Sequence, residues 1–143
     1  MARELSPRDI EVLKTVAPEC RDLECAGSSA PYKSILPPLS NHLAKNEEDF
    51  KNRIAKLNDQ DLEYLLSLIK TGEESLGCVP PHYMKLFLEL IEERCGKEKE
   101  AEIAEIYRKW QNQRKQILQN CFNYLFYFFF SKFDTFFFAL TFM

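Results

Sequence analysis

From Asn46 to Gly96 the apolar residues recur three and four positions apart, and each run is bracketed by residues that start or stop a helix. A period of 3.6 with such punctuation leaves little room for a sheet and predicts an all-α domain. Asn46 can cap a helix whose first turn is Glu47, Glu48 and Asp49, carboxylates at the positive end of the helix dipole, with Phe50, Ile54 and Leu57 as its apolar stripe. The same grammar returns at Asn58: Asp59 and Asp61 follow the cap, Leu62, Leu65, Leu66 and Ile69 line one face, and Gly72 closes the end. Pro80 and Pro81 then interrupt. The run HYMKLFLELIEERC places Tyr83, Phe87, Leu90 and Ile91 on one face, widened by Met84 and Leu88, with Gly96 as its stop.

The flanks follow the same logic. Ser6 precedes Pro7 and Asp9 in SPRDIEVLKTVAP, which predicts a capped helix with Ile10, Leu13, Val16 and Ala17 inward and Pro18 as its end. Residues 19–38 hold Gly27, Pro31, Pro37 and Pro38 and read as a long connection with one turn near Ile35 and Leu36. A short helix over LSNHLA is expected next. A long amphipathic helix over 98–119 carries Ile103, Ile106, Trp110 and Ile117 at a and d spacing, acids at its start and bases at its end. The expected architecture is a small bundle of five or six helices over residues 1–119. Helices 59–71 and 81–95 lie at its core, and helix 98–119 is packed across them or offered to a partner. No fixed period of the solenoid kind is present.

At Cys121 the composition changes abruptly, because ten of the twelve phenylalanines fall in residues 121–143. Residues 120–143 are therefore set apart as a Phe-rich tail. One reading is a tail-anchored membrane segment. Against it, Lys132 and Asp134 lie mid-run, each costing about 2.5–3.5 kcal/mol on insertion where a Phe returns only about 0.3–0.6. A second reading packs the run into the core, although it shows neither a polar helical face nor strand alternation. A third is an extension from a shifted frame or lost stop codon, since Phe, Tyr, Leu, Asn, Lys and Ser are all written with T- and A-rich codons.

Composition narrows the function. A net charge of −3 and a pI near 5.5 give no general attraction to nucleic acid or anionic membrane, and no nucleic-acid partner is expected. The start MARELSPRDIEV has no apolar signal core and no Gly at position 2, so cytoplasmic location is expected. Five scattered cysteines fit reduced thiols better than a disulfide framework. Cys20 and Cys25, separated by four residues, form a candidate soft-metal pair with His42 or His82, but the spacing is not the usual two-residue knuckle. Cys78, at a turn before a helix and near His82, is the candidate reactive thiol, with no Asn or Asp placed to orient the imidazole. No phosphate loop, nucleophile elbow, HExxH or calcium loop occurs. No cofactor is expected. The leading expectation is an interaction or regulatory module without catalysis, contacting a partner or a second copy through Ile103, Ile106, Trp110 and Ile117. The alternatives are a metal- or thiol-dependent protein and a tail-anchored adaptor.

Overall fold

The computed structural model describes residues 4–19, 35–36, 43–76 and 79–141, with side chains to residue 132. Among the described residues the fold is all-helical, with five helices: α1 (Pro7–Val16), α2 (Glu47–Ala55), α3 (Asp59–Thr71), α4 (Pro81–Cys95) and α5 (Lys97–Thr141). The expected short helix over LSNHLA lies almost wholly outside the described residues. The chain divides into two compact units, residues 1–110 and 111–143.

The caps form where the side chains allow. Ser6 accepts from the Asp9 amide while the Asp9 carboxylate accepts from the Ser6 amide at 2.7 Å, a reciprocal box that ties off two orphan donors of α1. Asn46 accepts from the Asp49 amide and Asn58 from the Asp61 amide, both at 2.8 Å. Gly72 ends α3 at φ +79, in the left-handed region where a Cβ is strained. Gly96, at φ +95, makes the break between α4 and α5.

The core of the first unit gathers the predicted stripes. Phe50, Ile54 and Leu57, then Leu62, Leu65, Leu66 and Ile69, then Tyr83, Met84, Phe87 and Ile91 are all buried. Helix α2 packs against α4, where the Phe50 and Tyr83 rings stack at 4.5 Å, and α1 packs against α2. Arg94 of α4 fastens the α2–α3 corner by donating to the Leu57 carbonyl and to Asp59, both at 2.6 Å. Lys99 and Glu63, at 3.0 Å, and Lys70 and Glu102, at 2.8 Å, link the start of α5 to α3.

Two expectations need correction, and one burial has no signal in the sequence. The inward face of α1 is Asp9, Val12, Leu13 and Val16, with Ile10 only half-buried. Asp9 moves inward because Tyr64 of α3 donates to its carboxylate at 3.0 Å, satisfying a group that would otherwise be costly to bury. Glu74, just beyond α3, is fully buried. Its carboxylate accepts from the amides of Ile35, at 3.1 Å, and Leu36, at 3.0 Å, pinning these two apolar residues into the core. Finally, α5 does not stop near Gln119, because a backbone hydrogen-bond ladder is indifferent to the side-chain composition that changes at Cys121.

Candidate interaction surface

Helix α5 carries the four residues singled out by a and d spacing, and the structure separates them. Ile103 is fully buried in the core of the first unit, and Ile106 and Trp110 pack half-buried against that core. A fully buried side chain cannot greet a partner, so Ile103 leaves the predicted contact set, and Ile106 and Trp110 serve chiefly the chain's own packing. Ile117, in the second unit, is 63 % exposed.

The second unit continues in that vein. Leu118, Phe122, Tyr124, Leu125 and residues 126–130 are all exposed, Tyr127 to 77 %. This overturns the packed-core reading for the described part of the tail. The rings touch mainly their own neighbours along the helix: Phe122 and Phe126 lie 6.3 Å apart, and Phe126 and Phe130 4.5 Å. The Lys132 ammonium sits 4.8 Å over the Phe128 ring. Gln116, Asn120, Asn123 and Ser131 recur at i, i+4, i+7 and i+15, a narrow polar line along the helix that Tyr127 interrupts. That line is masked in the sequence by the density of phenylalanine on either side of it. Among the described residues, no helix is long and apolar enough to cross a membrane.

Among the described residues, hollows on the first unit include two of note. One, of about 270 Å³ between α4 and α5, has Met84, Leu88 and Tyr107 in its walls and Glu89, Glu92 and Glu100 around it. Tyr107 is held there by donating to the Val79 carbonyl at 3.0 Å. The other, of about 350 Å³, is lined by Asp59, Glu63, Arg94, Cys95 and Lys99. Its charges answer one another: Arg94 pairs with Asp59 and Lys99 with Glu63, and the Glu63 carboxylate raises the pKa of the Lys99 ammonium above the ordinary lysine range. Such a hollow asks for no external ion.

The metal and thiol candidates fare differently. Cys20, Cys25, His42 and Cys78 lie outside the described residues. His82 is exposed at the start of α4, its ring 4.3 Å from that of Tyr83. Among the described residues no three His, Cys, Asp or Glu side chains are grouped to hold a metal ion. Cys95 is half-buried and Cys121 exposed.

Comparison with protein-family models, curated proteins and solved structures yields no match. Function therefore rests on the surfaces just described. Of these, the exposed length of α5 is the one whose chemistry is least compatible with water.

Proposed function

We propose that this chain is a small cytosolic interaction or regulatory module, working through binding and not through catalysis, and that its contact surface is the exposed part of α5 from Ile117 to Phe130. One observation carries the reading: ten large apolar side chains in that stretch are each more than half exposed. Seven aromatic and three aliphatic residues so exposed present on the order of 1,000 Å² of apolar area, taking ~150–250 Å² for an aromatic side chain. Monomeric soluble proteins rarely leave more than a few hundred Å² in one patch, so such a surface asks to be covered. An interface of standard size buries about 800 Å² per partner.

The division of labour along α5 supports the same view. Residues up to Trp110 serve the first unit's core, and the described aromatic residues from Phe122 to Phe130 are all exposed. Site-specific photo-crosslinking in cells tests the proposal, with p-benzoylphenylalanine replacing Leu125 in one variant and Lys51, exposed on α2, in another. A discrete protein adduct at position 125, identified by mass spectrometry and absent at position 51, is the expected result. No adduct at 125, or the same smear at both positions, overturns it.

A further inference from the structure

We propose that the surface on α5 is covered by a second copy of this chain, the two helices meeting along Leu118, Cys121, Leu125 and Phe128. The inference rests on reading this stretch as a contact surface and goes further by naming the occupant. Three observations point to it.

The first is register. Leu118, Cys121, Leu125 and Phe128 follow one another at intervals of three, four and three along a continuous helix, the spacing of a two-helix seam. Leu118, Leu125 and Phe128 are 62 %, 65 % and 52 % exposed, and Cys121 is exposed with them. The polar line of Gln116, Asn120 and Asn123 lies on the opposite side of the helix, where a paired helix meets water.

The second is charge. From Gln116 to Ser131 no residue is charged. Two identical surfaces meet there without like-charge repulsion, and a partner bearing a charged face finds nothing to answer it. The next positions in the seam register are Arg114 and Lys132, one before and one after, so a cation bounds the apolar stretch at each end, the Lys132 ammonium lying over the Phe128 ring. A helix lying on an anionic lipid surface has the reverse design, with Lys and Arg along its polar face; here that face is amide and hydroxyl.

The third is area. Ile117, Leu118, Leu125, Phe128 and Phe129, half of the ten exposed apolar residues, lie on the seam side of the helix, and an isologous contact covers them on both chains at once.

Sedimentation velocity of the full chain, from below 1 to about 50 micromolar, decides the matter. The expected result is a monomer–dimer equilibrium that the double variant Leu118→Glu/Leu125→Glu weakens at least tenfold, while Gln116→Glu/Asn123→Glu, with the same added charge on the polar line, leaves it unchanged. If the charged seam variant loses its helical circular dichroism, Leu118→Ala/Leu125→Ala reads the same weakening. A full chain that stays monomeric, that forms polydisperse aggregates indifferent to the seam variants, or that binds anionic phospholipid vesicles as a monomer overturns the proposal. A monomeric chain whose position-125 crosslink captures a different protein overturns the second copy alone. No crosslink at all overturns the contact surface as well.

Discussion

Glu74 shows how much one carboxylate can organise. It is fully buried and receives the amides of Ile35 and Leu36, so an otherwise irregular stretch of chain is stitched to the corner after α3. Hydrogen bonds to a charged group are each worth about 1.5–3 kcal/mol, and removing the acceptor strands two buried donors. Glu74→Ala should therefore lower stability by about 3 kcal/mol, and Glu74→Gln, which keeps an acceptor oxygen, by roughly half that; urea unfolding followed by circular dichroism measures both. Nothing in the run Gly72-Glu73-Glu74-Ser75 signals this role, because the partners lie 38 and 39 residues away in a segment with no periodicity of its own. Asp9 is the intermediate case. Its cap is legible in SPRD, whereas its burial depends on Tyr64, 55 residues on. Tyr64→Phe leaves the Asp9 carboxylate short of a donor and should cost about 1–2 kcal/mol in the same assay.

At the scale of elements, helix ends and the ties between helices set the packing. Arg53, on the last turn of α2, reaches the Val16 carbonyl at 3.1 Å, Asp49 at 3.1 Å and Glu19 at 2.5 Å, so one guanidinium joins α2 to the end of α1. The bond from Arg53 lowers the pKa of Glu19, and the Lys45 amide, then Arg53, lower that of Asp49. Because the folded values lie below the unfolded ones, these contacts stabilise the fold fully above the ordinary carboxylate range. Their contribution disappears as pH falls through the depressed folded values. Arg53→Gln should accordingly reduce the melting temperature at pH 7, and that deficit should shrink as pH falls through the depressed carboxylate values, leaving the part due to the Val16 carbonyl, as read by thermal melts across pH. Gly96 makes a different demand. Among the described residues, and apart from its chain neighbours, no atom lies within 4 Å of where its Cβ would stand, so for Gly96→Ala the cost is backbone strain at φ +95. It should cost about 1 kcal/mol or somewhat more.

For the whole molecule, the described core-forming residues end at Trp110 while the helix that bears the last of them continues to Thr141. The division into units at Trp110 thus falls ahead of the compositional change at Cys121. A chain ending at Gln119 keeps every buried apolar residue of the described core. It should melt cooperatively within a few degrees of the full chain and stay monomeric at concentrations where the full chain dimerises, which calorimetry and sedimentation check together. A large loss of stability in the truncated chain would show instead that the aromatic stretch supports the first unit.

What the sequence determined by itself is local: helices α1 to α4 and the first part of α5, the caps Ser6, Asn46 and Asn58, the stops at Gly72 and Gly96, and the inward stripes of α2, α3 and, apart from the half-buried Leu88 and Leu90, α4. These depend on periodicity and on side chains reaching their own backbone within a turn, so neighbouring residues carry the whole signal. Tertiary structure alone decided the rest. Ile103 and Ile117 share one spacing pattern in the sequence, yet the first is sealed in the core and the second lies open. Burial depends on what other elements bring alongside a helix, and beyond Trp110 no described side chain of α5 joins the core that Ile103 enters. The carboxylates of Glu74 and Asp9 were decided in the same way, each by donors more than thirty residues distant.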